Sequence, residues 1–284
     1  MASRAGRAVG SLVLVLALVV GLAVGTFVWL RGRGLADPAP GQQRCVATAS
    51  GQSVVLDLEQ AQLTSIIVGL SVRRGLPPRA ATIAMATVYQ ETGIRNLDYG
   101  DRDSVGLFQQ RPSQGWGSVR QLMDPYYATG KFYDALVKID GWEDEDITEM
   151  AQEVQRSGFP DAYRDHEADA RVLASALTGR SPGGLTCLER EDNRGRARAM
   201  TTALEKAYGS VSDSTEGPVV TIKASNTTKA WAYAHFAVAN SALYGVTSVT
   251  VGDRQWQTDR YNLPTWGAAT EPVTDRQVRI TVRS

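Results

Sequence analysis

The chain has 284 residues, of which 43% are apolar and 21% charged, a globular balance that excludes wholesale disorder. Lys and Arg total 30, as do Asp and Glu, so the basic surplus of a nucleic-acid binder is missing. The two histidines and two cysteines lie too far apart along the chain to read as the usual four-ligand zinc site, and neither metal nor cofactor is expected.

The apolar content is uneven. Residues 1–8 carry Arg4 and Arg7, and Val9 to Leu30 then run for 22 residues without a charge. At 1.5 Å per residue that is ~33 Å, enough to cross a bilayer core. A signal-peptide core is usually only ~7–15 residues, and Phe27-Val28-Trp29-Leu30 prolongs the run past any small-residue cleavage site. The expectation is an uncleaved transmembrane anchor over residues 9–30. Arg31 and Arg33 follow it, so the charge rule for orientation is nearly tied. The long remainder and its cysteines point to a cytoplasmic N-terminus and a single pass of the cell membrane, with the bulk on the extracytoplasmic side. Residues 31–56 read as a stalk.

Cys45 lies just past the anchor and Cys187 near the end of the next region. Outside the membrane the two can form one bridge, closing a loop worth roughly 3–5 kcal/mol in the chain-entropy model. The alternative is two unrelated buried thiols.

Helical patterns begin at Asp57, which makes a capping-box pair with Gln60 ahead of the stripe Leu63, Ile66, Ile67, Leu70. Gly75 ends this helix, Pro77-Pro78 suits the start of the next, and Gly93 stops that one. A Gly-Asp-Arg-rich loop covers 93–105. Helical periodicity resumes at 124–138, 148–157 and 165–178, and a charged segment, 188–208, holds a last helix. Residues 209–218 have no periodicity and read as a linker. Beyond it the period changes. Val219 to Lys223 suits a strand, Lys229 to Leu243 a helix, and Val246 to Val251 a strand turning at Gly252-Asp253. The end alternates Val278, Ile280, Val282 with Arg279, Thr281, Arg283. The reading is a mainly α chain: a helical domain over 57–208, then a small α+β domain over 219–284.

Chemistry concentrates at the end of the second helix. Ala84, Thr87, Val88 and Glu91 are spaced i, i+3, i+4, i+7, which puts a carboxyl on the apolar face beside the helix's carbonyl ends. Both settings raise its pKa, as a general acid at a glycosidic oxygen requires. The plainer reading is a helix-end residue bonded to a loop amide.

Glu91-Thr92-Gly93 is followed, fifteen residues after Glu91, by Gly106-Leu107-Phe108-Gln109. This resembles the soluble lytic transglycosylase and goose-type lysozyme superfamily, whose signature is Glu-Ser-Gly, a variable loop, then Gly-Leu-Met-Gln. Gly130-Lys131-Phe132-Tyr133 after Asp124-Pro125 is similar to the family's later G-x-x-Y helix. The stretch also looks like a group of membrane-anchored actinobacterial wall proteins, and the likeness covers roughly residues 55–187. It departs at Thr92 for Ser, at Tyr126 for Asn, and at Val154-Gln155 for a Tyr-Asn pair. The resemblance implies a lysozyme-like helical fold with Glu91 as acid then base. It also implies Gln109 and Gln155 near the sugar, with Tyr163 replacing the missing Tyr.

A hydrolase needs a second carboxylate, at ~5 Å for a retaining enzyme or ~6.5–9.5 Å for an inverting one. Asp98, Asp101 and Asp103 are the nearby candidates, and each also suits a solvated or Asx-type turn. With one carboxylate the substrate's own C6 hydroxyl takes the place of water, as in the transglycosylases. Isolated His166 and His235 read as surface or core histidines, Asn226 as a helix cap, and Trp116 and Trp142 as core before sugar platforms. The leading expectation is a membrane-tethered murein-cleaving enzyme with peptidoglycan strands as its partner. Its rival is a catalytically silent module of the same fold that binds peptidoglycan or an envelope protein.

Overall fold

The computed structural model describes residues 42–156 and 160–284. The chain enters through two strands, β1 (Arg44–Ala49) and β2 (Gln52–Leu56). They pair antiparallel around a two-residue turn at Ser50 and Gly51, both at positive φ (51° and 77°), as the tight hairpin twist demands. Residues 43–56, expected as stalk, are thus folded sheet. β3 (Leu185–Leu188) adds to the free side of β1, giving the order β2-β1-β3.

Between β2 and β3 lies the helical layer. It contains α1 (Leu58–Arg73), α2 (Pro78–Thr92), α3 (Val119–Leu122), α4 (Pro125–Leu136), α5 (Ile147–Gln155) and α6 (Glu167–Leu177). Short 3₁₀ turns cover Pro112–Gln114 and Pro160–His166. Local chemistry fixes the ends. Asp57 and Gln60 form the reciprocal capping box of α1. Asp124 caps α4 and Asp146 caps α5. Gly93 closes α2 in the left-handed region at φ 61°.

After β3 come α7 (Ala197–Tyr208), β4 (Ser212–Glu216), β5 (Val219–Lys223), α8 (Thr227–Ala239), α9 (Ser241–Tyr244), β6 (Val246–Val251), β7 (Arg254–Gln257), β8 (Gly267–Ala268) and β9 (Gln277–Val282). The six strands form one antiparallel sheet in the order β4-β5-β9-β6-β7-β8. Val220, Ile222, Val249, Trp256, Val278 and Ile280 are buried, while their strand neighbours Thr221, Arg279 and Thr281 are half-exposed, the pleat alternation of a sheet covered on one side.

These sheets correct the expectation of a mainly α chain with a leading transmembrane helix: the fold is mixed α and β, with antiparallel sheets of three and six strands. The strands of the first sheet span only four to six residues, too short for a period-2 signal to stand out among polar neighbours. The segment 209–218, expected as a linker, contains β4. Its residues are all exposed, so no apolar alternation marks it.

The anchor expected over 9–30 lies outside the described residues. Among the described residues no helix is long and apolar enough to cross a membrane. The expected single-pass, extracytoplasmic placement thus has no spanning helix to carry it among these residues.

α8 is buried on every side from Ala230 to Ala239, as a central helix must be. It packs against α1, α6 and β3 and also against β6 and β9. Helical layer and large sheet share one apolar core, and Gln43–Ser284 forms one compact unit. Cys45 and Cys187 face each other across the β1–β3 ladder and are joined by a disulfide.

Candidate active site

Glu91 sits in the last turn of α2, half-buried, beside the loop that carries Gly106-Leu107-Phe108-Gln109. Sterics set that loop. Val105 and Gln110 pair as an isolated bridge, and Gly106 turns between them at φ 80° with its N–H on the Leu97 carbonyl at 2.6 Å. A Cβ at Gly106 would run into the Leu122 carbonyl, so glycine alone fits. Leu107 and Phe108 are buried, with Phe108 stacked on Phe132 at 4.6 Å between centroids. Thr92 ties the helix end to this loop. Its hydroxyl lies 3.0 Å from both the Val88 and Leu107 carbonyl oxygens and accepts the Arg95 N–H at 3.2 Å.

Two side chains from elsewhere complete the site. The Tyr163 hydroxyl, on the fully buried side chain of the 3₁₀ turn before α6, donates to Glu91 Oε1 at 2.7 Å. The Gln155 amide, at the end of α5, donates to the Phe108 carbonyl at 2.5 Å and bonds the Glu91 carboxyl. Burial pushes the Glu91 carboxyl above its ordinary range, and the Tyr163 and Gln155 hydrogen bonds pull partly against it. The outcome is a carboxyl held in place by two donors and biased toward its protonated form.

The structure thus brings Glu91, Gln155 and Tyr163 together. Gln109 is turned to another task. Its backbone is left-handed at φ 46°. Its amide lies 3.2 Å from the Tyr99 and Gly106 carbonyl oxygens, and its own oxygen accepts from Ser104 at 3.1 Å. It holds the 99–106 loop. Asp103 is a loop clip as well: its oxygens accept Arg111 Nε, the Ser113 N–H and the Ser113 hydroxyl within 3.0 Å, which keeps it firmly ionised. Asp98 and Asp101 point to solvent. None of the three makes a hydrogen bond with Glu91 among the described residues.

Residues that the sequence left bland also gain places here. His166 ends the turn that carries Tyr163. It stacks on Tyr89 at 5.2 Å and meets Gln90 Oε1 at 3.2 Å, so the turn is pinned to the same helix end as Glu91. The signal was its position three residues after Tyr163. Trp116, with Lys138, Ile139, Val154, Gln155 and Arg156, lines a cleft of about 650 Å³. Trp142 is core, with its carbonyl accepting from Arg79. His235 is fully buried in α8, bonded through Nδ1 to the Ala176 carbonyl at 2.7 Å. Burial holds its pKa down at about 4, so its ring is neutral. Among the described residues no three His, Cys, Asp or Glu side chains gather as metal ligands would.

Comparison with models of known families finds none that matches this chain, and no curated protein matches it.

Proposed function

We propose that this chain cleaves the β-1,4 bond between N-acetylmuramic acid and N-acetylglucosamine in peptidoglycan strands, as a lytic transglycosylase with Glu91 as its one catalytic carboxyl. The observation that carries the reading is the Tyr163 hydroxyl 2.7 Å from the half-buried Glu91 carboxyl. It stands in for the Tyr that the family motif has where this chain has Val154, while Gln155 keeps the amide beside it.

The chemistry needs one proton carried twice. Protonated Glu91 gives its proton to the glycosidic oxygen as the C1–O bond breaks. Developing charge at C1 is met by the substrate's own C6 hydroxyl, whose oxygen bonds to C1 while its proton passes to the Glu91 carboxylate. Atoms balance without water, and the products are a 1,6-anhydromuramoyl end and a free 4-hydroxyl. Tyr163 stabilises the Glu91 anion between the steps. Gln155 braces the Phe108 carbonyl and the carboxyl together. The cleft beside Gln155, with Trp116 in its wall, suits a pyranose face. Asp103, spent on Arg111 and Ser113, is a poor base for water, which favours the anhydro route.

The test is digestion of purified peptidoglycan with mass spectrometry of the products. Anhydromuramoyl ends from the wild type, lost in Glu91→Gln, are expected. Plain reducing ends would mean a water nucleophile. If wild type and Glu91→Gln are equally inert yet bind the polymer equally well, the chain is a binding module and the catalytic reading falls.

A further inference from the structure

Away from Glu91, the segment Arg194-Gly195-Arg196-Ala197-Arg198 runs into α7 alongside the end of β9. Together they line a cleft of about 740 Å³, whose walls include Arg194, Arg196, Arg198 and Arg283 and no Asp or Glu side chain. Among the described residues none of these four arginines is in an ion pair. The acids just before them make their hydrogen bonds elsewhere, and of the four arginines it is Arg283 whose charge reaches Glu189 and Asp192. Asp192 accepts from Arg260 at 2.8 Å, Glu191 accepts from the Gln43 amide, and buried Glu189 accepts from Thr258 and the Glu191 N–H.

The arginine backbone is fixed closely. A Cβ at Gly195 would strike the Arg283 backbone, and one at Gly245 would strike Asn193 and Gly195. Arg196 N–H donates to Tyr244 O at 3.0 Å, and Arg283 N–H to Gly245 O at 2.7 Å. Two of the side chains are also held. Arg196 donates to the Leu243 carbonyl and lies over the Tyr244 ring at 5.4 Å, and Arg283 donates to the Glu191 and Asn193 carbonyls. Carbonyls position a guanidinium without neutralising it. Arg194 and Arg198 are exposed at the rim, free to close on a ligand.

The fixed Arg196 fork, flanked by the exposed Arg194 and Arg198, matches the tetrahedral, multiply charged oxygens of a phosphate group. We infer that this cleft binds a phosphate-bearing ligand, either a soluble phosphate ester or the headgroup of an anionic lipid. The site is independent of the chemistry at Glu91.

Calorimetric titration with pyrophosphate, at low and at physiological salt, tests it on the full chain. Saturable binding that weakens with salt is expected. It should fall at least tenfold in Arg194→Gln/Arg198→Gln, whose exposed side chains the fold does not use, and stay unchanged in Arg120→Gln, an exposed arginine of α3. Co-sedimentation with phosphatidylglycerol vesicles, against phosphatidylcholine, separates the sources. Arginine-dependent sedimentation assigns the lipid headgroup, and pyrophosphate binding without it assigns a soluble phosphate. No saturable binding of either probe, or equal loss in Arg120→Gln, overturns the site.

Discussion

At the residue scale, Glu91 is placed at a cost to the fold. Burial raises its folded pKa above the ordinary 4.5, so between those two values the folded state holds a proton that the unfolded state has released. Its contribution is therefore fully present below the unfolded pKa and is lost as pH rises through the folded one. Glu91→Gln keeps the shape without the titration. We expect its urea midpoint to match the wild type near pH 4 and exceed it at pH 7, while activity on peptidoglycan falls about 10²–10⁴-fold. A variant less stable than wild type at pH 7 would show that the carboxylate is a structural anion.

Tyr163→Phe probes the partner. The lost hydroxyl had held the Glu91 pKa down, so the alkaline limb of the pH–rate profile should move to higher pH. Stability at neutral pH should fall by about 1–3 kcal/mol, the usual cost of removing one donor to a charged group. An unmoved alkaline limb would detach Tyr163 from the acid–base step.

At the scale of elements, the helices were legible and the small sheet was not. Asp57 with Gln60, Pro78 and Gly93 are chemical stops that act locally, so α1 and α2 could be read to within a residue or two of their ends. β3 pairs with β1 across more than a hundred residues, and no local pattern announces such a pairing. The Ser50-Gly51 turn was the only nearby cue. The site divides in the same way. Helical spacing put Glu91 on the apolar face, and the family resemblance gave it a role and added Gln155 and Tyr163. The Phe108 carbonyl that Gln155 grips is a backbone atom, invisible to any reading of side chains. Gln109 was expected at the sugar, but its left-handed backbone points its carboxamide back into its own loop.

The disulfide belongs to this scale because it bolts β1 to β3 across a separation of 142 residues. Cys45→Ser/Cys187→Ser removes that constraint from the unfolded chain. The expected loss is about 3–5 kcal/mol, or roughly 10 °C in Tm for a unit of this size. Differential scanning calorimetry of the double variant decides it, and a change under 2 °C would mean that the ladder needs no cross-link.

At the scale of the whole molecule, the covering helix of the large sheet is also the wall of the helical layer. A fragment ending at 208 would leave α1, α6 and β3 facing water where α8 had been. We expect such a fragment, residues 43–208, to lack a cooperative thermal transition and to bind hydrophobic dye. A sharp transition near that of the full unit would reveal a separable domain.

Sharing α8 has a further result for anyone seeking the ligand. When two halves melt as one, occupancy anywhere in the unit is reported everywhere in it. A glycan fragment bound beside Glu91 at a hundred times its Kd adds about 2.7 kcal/mol to the whole. The unfolding of the large sheet, far along the chain from Glu91, then becomes a remote thermometer for the active site. Inert substrate analogues can be ranked on it by the melting temperature they confer, with no turnover to measure.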